Sequence, residues 1–183
     1  MKSTPELDKC VDIVRTSIEL AEYYHEGQMY GDKPYTYHLN GVYQLIVNNY
    51  EYYFPKPALE AGNWNENRIV ACVAAVAYLH DILEDTQCTE KILRQNDIPE
   101  LTIDIVKQLT HNPKETYFDY IMKMCNCGSI TVGVKAVKLA DLEFNINQSE
   151  TAINVENIDS INRLRKLEMY RFAREILKPT NYY

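Results

Sequence analysis

The chain lacks the markers by which several large classes of protein are recognised. No apolar run approaches the roughly 20 residues needed to cross a bilayer; Ile69–Leu79 is the longest. The N-terminal stretch Met1–Glu6 leads into an amphipathic helix with no signal-peptide core, so a cytoplasmic protein with no membrane partner is expected. No C-x-x-C pair occurs among Cys10, Cys72, Cys88, Cys125 and Cys127, which speaks for reduced thiols and against a zinc–cysteine site. Basic residues are in deficit, 19 Lys and Arg against 26 Asp and Glu, for a net charge of −7. That balance excludes a general binder of nucleic-acid polymers, which presents a basic face. It leaves room for a small anionic ligand, because a metal and a few local lysines reverse the field inside a pocket. Alternating runs that signal strands are missing, as are internal repeats and low-complexity segments.

What is present reads as helix. The 183 residues suffice for one buried core and not for two, so residues 1–183 are expected to form a single domain. Leu7, Val11, Val14, Ile18 and Ala21 recur at spacings of three and four and predict a first helix that stops near Gly27. A polar loop with Gly31 and Pro34 follows. A second helix is expected from Tyr37–Asn40 through Val47, with His38 at its start. Residues 49–67 are irregular and aromatic, including Tyr50, Tyr52, Tyr53, Phe54 and Trp64, and read as local packing or as a lid. The apolar run then predicts a buried helix from about Glu66 to Leu83. Thr89 caps a short helix and Pro99 opens another. Further helices are expected over Glu115–Met124, from about Ile130 through Asn145, and over Asp159–Leu177, the last with Ile161, Leu164, Leu167, Tyr170, Phe172 and Ile176 on its apolar side. The fold class is all-α, a compact helical domain around a central buried helix.

That central helix ends in Leu79-His80-Asp81-Ile82-Leu83-Glu84-Asp85-Thr86. A His and three carboxylates at the end of a buried helix are costly unless something pairs with them. The helical period puts His80 and Glu84 on one face and Asp81 and Asp85 on a neighbouring one. A divalent cation relieves the cost, since imidazole and carboxylate are its usual ligands; an acidic helix end facing water is the alternative. Two more candidate ligands, His38 and Asp141, lie far away in sequence and have to be brought in by the fold. Lys138, Asp141 and Asn145 share one helix face.

These residues form the order H…HD…D, which resembles the HD superfamily of metal-dependent phosphohydrolases. More narrowly, the chain is similar to the hydrolase domain of the RelA/SpoT type and its small stand-alone relatives, which remove pyrophosphate from (p)ppGpp. The likeness is carried by His25-Glu26-Gly27-Gln28 with Lys33-Pro34-Tyr35-Thr36-Tyr37-His38, by Leu79–Thr86, by Val137-Lys138-Leu139-Ala140-Asp141-Leu142-Glu143-Phe144-Asn145, and by Leu164–Tyr170. Together these span residues 20–177, and four motifs in order weigh far more than any one.

The resemblance implies His38, His80, Asp81 and Asp141 as metal ligands and Mn²⁺ as the ion. It implies that Glu84 and Asp85 position or deprotonate the attacking water, with support of the ligands as their alternative role, and that Asn145 contacts the substrate. Where the family usually carries Arg and Lys soon after the Gln, this chain has Met29, Tyr30 and Gly31. Tyr30 is then expected to stack on a purine. Lys33, Lys114 and Lys138 are candidates for phosphate contact, Lys138 equally for pairing with a site carboxylate, and Tyr35 completes the substrate-side set. His25 and His111 are expected to be structural. The implied activity is release of the 3′-pyrophosphate of (p)ppGpp. The alternatives are an HD-type phosphatase of another nucleotide, such as a deoxynucleoside monophosphate or a dinucleotide 2′-phosphate, and a nucleotide-sensing module. Homo-oligomerisation stays open.

Overall fold

The structure is a computed structural model that describes residues 5–56, 66–152 and 159–179. The described chain is all-α. In order come α1 (Pro5–Tyr24), a hairpin of β1 (Met29–Tyr30) and β2 (Lys33–Pro34), α2 (Tyr35–Asn48), α3 (Tyr50–Tyr53) and α4 (Glu66–Leu79). Then follow α5 (Ile82–Asp85), α6 (Glu90–Gln95), α7 (Glu100–Leu109), α8 (Tyr117–Met124), a 3₁₀ turn (Gly128–Ile130), α9 (Thr131–Ala152) and α10 (Asp159–Leu177).

Two helices form the core, α4 because it is apolar on nearly every side and α9 because it buries a run of apolar residues. In α4, Ala71–Ala77 and Leu79 are buried, and the alanines let α1, α2, α7 and α9 pack closely around it. In α9, Val134, Val137, Leu139, Ala140, Leu142 and Phe144 are buried. Each such Val or Leu contributes about 1.5–3 kcal/mol by leaving water. Helix α2 touches both α4 and α9, so the three meet at one place. Gly41 on α2 makes that approach possible: a Cβ there would lie 2.0 Å from the Phe144 ring.

Several predicted boundaries move. The helix expected to run to Leu83 stops at Leu79; His80 and Asp81 form a turn, and α5 restarts at Ile82. Helix α2 begins at Tyr35, which takes His38 inside its first turns. The loop after α1 contains a two-stranded antiparallel pair, with Tyr30 opposite Lys33, that the composition did not signal. Gly31 turns it at φ +63°, a conformation that glycine adopts without a steric penalty.

Thr89 caps α6 by accepting from the Ile92 amide at 3.4 Å, as expected. Thr116 caps α8 in the same way, so that helix starts at Tyr117 and not at Glu115. Tyr53 and Phe54 are buried, and the Tyr52 and Tyr53 hydroxyls both donate to Glu143 of α9. This part of the aromatic segment is therefore packed on the body; Pro57 and Trp64 lie outside the described residues. Two apolar stripes need correction. Val11 of α1 is exposed while Leu20 and Ala21 face the core, and on α10 Leu167, Ala173 and Leu177 are buried while Ile161, Leu164 and Phe172 are exposed. Periodicity marks a stripe but does not say which of two apolar stripes meets the core. Among the described residues no helix is long and apolar enough to cross a membrane.

Candidate metal centre

The break after Leu79 is what builds the site. As α4 ends, the His80 Nδ1 meets the carbonyl of Ala77 at 2.9 Å. A carbonyl only accepts, so Nδ1 is the donor and Nε2 is the nitrogen turned inward. His38, from α2, points its Nε2 at the same spot, 3.2 Å from the His80 Nε2. The Asp81 Oδ2 lies 3.0 Å from the His80 Nε2 and 3.5 Å from the His38 Nε2. From α9, the Asp141 Oδ1 lies 3.4 Å from the His38 Nε2 and 3.9 Å from the His80 Nε2. His38, His80 and Asp141 are all buried.

Two ring nitrogens and two carboxylate oxygens therefore converge within a few ångströms. Ligands held about 2.1 Å from one ion lie roughly 3.0–3.6 Å apart for bond angles between 90° and 120°. Most of the observed separations fall in that span, so His38, His80 and Asp141 could hold a divalent ion, with Asp81 beside both imidazoles. The electrostatics make the same demand for positive charge. Burial alone lowers the His80 pKa, but Asp81, then Asp141 and the Ala77 carbonyl, raise it to about 9. Burial alone raises the Asp81 and Asp141 pKa values, yet the imidazoles, and for Asp141 first the Lys138 ammonium, hold both carboxylates below their usual range.

Around these four groups the chain supplies a polar frame. Lys138, half-buried one helical turn before Asp141, donates to its Oδ2 at 2.8 Å, and Asn145, one turn after, donates to its Oδ1 at 2.6 Å. The Tyr30 hydroxyl donates to the Asn145 Oδ1 at 2.7 Å. Tyr35 donates to the Asp81 Oδ2 at 2.6 Å and reaches the Asp85 Oδ2 at 3.2 Å. Desolvation and the neighbouring carboxylates raise the pKa of both tyrosines, so each remains a donor. Glu84 is held through its Oε2 by the His111 amide at 2.8 Å. Desolvation raises its pKa and that amide bond opposes the shift.

The sequence-predicted residues thus divide. His38, His80, Asp81, Asp141, Lys138 and Asn145 are brought together, with Tyr30 and Tyr35 against them and Glu84 and Asp85 alongside in α5. Lys138 takes the pairing role, bound to Asp141. Lys33 is exposed and pairs with Asp32 at 3.4 Å, and Lys114 is exposed on the loop that carries the Glu84-binding amide. Tyr30 differs most from expectation: its ring stacks on His38, centroids 4.9 Å apart and planes within 9°. Some contributors carried no sequence signal. The His111 contribution is a backbone group, which any residue there provides. Gln28 reads as a loop residue, yet its amide bridges the His25 ring (2.7 Å) and the Asp85 carbonyl (2.8 Å), tying the hairpin to α5. Phe144, inside the KLADLEFN stretch, edges the His38 ring at 5.2 Å.

An all-helical domain with a buried His–Asp cluster at the meeting of three helices has the form that the HD resemblance implies. Its fold is shared with a solved structure described as a metazoan ortholog of SpoT that hydrolyses ppGpp and plays a role in starvation responses. The TM-score is 0.62 at 17% sequence identity, over 100% of this chain and 90% of that one. Neither a family model nor a curated protein matches the chain.

Proposed function

We propose that this chain is a metal-dependent phosphohydrolase that removes the 3′-pyrophosphate of (p)ppGpp, yielding GDP or GTP and pyrophosphate, with Mn²⁺ held by His38, His80, Asp81 and Asp141. The observation that carries the reading is the convergence of His38, His80 and Asp141, with Asp81 against both imidazoles and Glu84 and Asp85 alongside, on a fold shared with a protein described as hydrolysing ppGpp. A divalent ion bound there supplies Lewis-acid polarisation of the phosphoryl group and makes water a stronger acid.

The residues of the chain do the rest. Glu84, anchored on one oxygen by the His111 amide, keeps its other oxygen for a proton taken from the attacking water. Water oxygen bonds to phosphorus, the bond from phosphorus to the 3′ oxygen breaks, and that oxygen takes up a proton. Asp85, steadied by Tyr35, orients the water. Lys138 and Asn145 keep Asp141 turned toward the imidazoles. Lys33 and Lys114 are the surface cations that meet the outer phosphates.

A second reading is a phosphatase of a less charged nucleotide. It is favoured by Tyr30, which spends a ring face on His38 where the resemblance calls for a guanine-stacking cation. The test is an assay with Mn²⁺ and ppGpp, following GDP and pyrophosphate, with deoxynucleoside monophosphates and a dinucleotide 2′-phosphate in parallel. Catalytic release of pyrophosphate supports the first reading. Turnover of another nucleotide alone moves the substrate to the second, and no turnover of any phosphoester with Mn²⁺ bound refutes both.

A further inference from the structure

The two histidines of the cluster are held differently. His80 is oriented by its Nδ1 contact with the Ala77 carbonyl, the arrangement that usually fixes a ligating imidazole. The His38 Nδ1 is buried and has no hydrogen-bond partner among the described residues. The polar contacts of that ring are therefore all at Nε2, and it lacks the Nδ1 anchor that His80 has.

Packing stands in for that anchor. Tyr30 lies parallel on the imidazole at 4.9 Å, and Phe144 meets it at 65° and 5.2 Å. The same Tyr30 reaches Asp141 by a second route. Its hydroxyl occupies the Asn145 Oδ1, which turns the Asn145 Nδ2 onto the Asp141 Oδ1. That oxygen is the one facing His38. One side chain thus touches the surroundings of two of the four proposed ligands. The hairpin is built to present it: Gly31 turns the strand pair, the Tyr35 amide donates to the Gln28 carbonyl at 3.0 Å, and Gln28 ties the base of the loop to Asp85.

We propose that Tyr30 is a positioning residue for the divalent ion, its ring fixing His38 and its hydroxyl fixing Asp141 through Asn145, and that it serves metal affinity before base recognition. The inference rests on the metal reading above. It predicts a graded series. Tyr30→Phe keeps the ring and loses the hydroxyl chain; Tyr30→Ala loses both.

The experiment titrates Mn²⁺ alone into the wild-type chain and both variants by calorimetry. It also records the His38 imidazole proton shifts by NMR in chelator, where ring stacking is visible without metal. The expected result is Mn²⁺ affinity lowered ~10–100-fold in Tyr30→Ala and less in Tyr30→Phe, the range usual for outer partners of metal ligands. The upfield ring-current shift of His38 is kept in Tyr30→Phe and lost in Tyr30→Ala. At saturating Mn²⁺ the nucleotide KM stays within about twofold of wild type, as the affinity loss is made up by added metal. Unchanged Mn²⁺ affinity in both variants, or a raised nucleotide KM with Mn²⁺ affinity intact, overturns the inference and returns Tyr30 to base stacking. If Tyr30→Ala does not fold, Tyr30→Phe with affinity equal to wild type overturns the hydroxyl route by itself. A wild-type chain that takes up no Mn²⁺ refutes the metal reading itself, an outcome distinct from the others.

Discussion

Replacing Lys138 by Met removes one charge from the frame while keeping most of the buried stem. The Lys138 Nζ donates to the Asp141 Oδ2 at 2.8 Å, with the two side chains 13% and 7% exposed, and lies 5.3 Å over the Tyr120 ring. Burial alone lowers the Lys138 pKa, but Asp141 and the nearby tyrosines hold it well above the usual range. Breaking such a buried pair by removing one partner costs about 3–5 kcal/mol. The imidazoles at 3.4 and 3.9 Å remain to face Asp141, so the lower end, about 3 kcal/mol, is expected. For a chain of this length that corresponds to a Tm loss of roughly 6–12 °C.

The loss is conditional on what else balances Asp141. In EDTA the full deficit is expected; at saturating Mn²⁺ the ion neutralises the same carboxylate and the deficit falls to about half or less. The sign with pH is also set. Asp141 is held below the usual carboxylate range, so the stabilisation by the pair is present above the unfolded-state pKa and is lost as the pH falls through the lowered folded-state value. Thermal unfolding followed by circular dichroism, in EDTA and in Mn²⁺, reads both effects. A deficit under about 1 kcal/mol in EDTA, or an equal deficit in both conditions, refutes the coupling of Lys138 to the cluster.

Three further outcomes are expected. His80→Ala or Asp81→Ala abolishes both bound Mn²⁺, measured by elemental analysis after gel filtration, and hydrolysis; a variant that keeps stoichiometric metal and activity removes that residue from the ligand set. Glu84→Gln leaves Mn²⁺ affinity within a fewfold and lowers kcat by roughly 10²–10⁴, the usual contribution of general acid–base groups; an unchanged kcat reduces Glu84 to a structural partner of the His111 amide. Gly41→Ala gains about 1 kcal/mol of helix propensity but forces the Phe144 ring aside, since its Cβ falls 2.0 Å from that ring. A net destabilisation of about 1–3 kcal/mol is expected from such overpacking, and denaturant unfolding showing a gain in stability contradicts the close packing of α2 on α9.

How much of this is legible in the sequence differs from residue to residue. The helical class follows from periodicity, and the proximity of Lys138, Asp141 and Asn145 from spacing, because one helix holds all three. The pairing of His38 with Asp141 had no local signal, since it depends on how α2 crosses α9. The uninterrupted apolar run hid the break at His80–Asp81: nothing in Leu79–Leu83 is a helix breaker by type, and the turn coincides with the His80 contact to the Ala77 carbonyl and the Asp81 contact to Tyr35. The Tyr30 contacts were out of reach for a different reason. The resemblance points the Tyr30 ring at a purine, and only the two-residue hairpin turns it onto His38.

The distance along the chain between the partners has a consequence for the birth of the protein. Tyr30 and Asn145 are 115 positions apart, and His38 has to wait for Asp141, which α9 brings in from far along the chain. Loop closure over such separations is offset only when many contacts form together, so the cluster is expected to assemble as α9 packs on α2 and α4. A nascent chain that has exposed His38, His80 and Asp81 but not yet α9 lacks Asp141 together with its Lys138 and Asn145 partners, and is expected to capture metal weakly. On the proposed metal reading, ion uptake is expected to report completion of the fold, and release of Mn²⁺ on heating to coincide with global unfolding in place of preceding it.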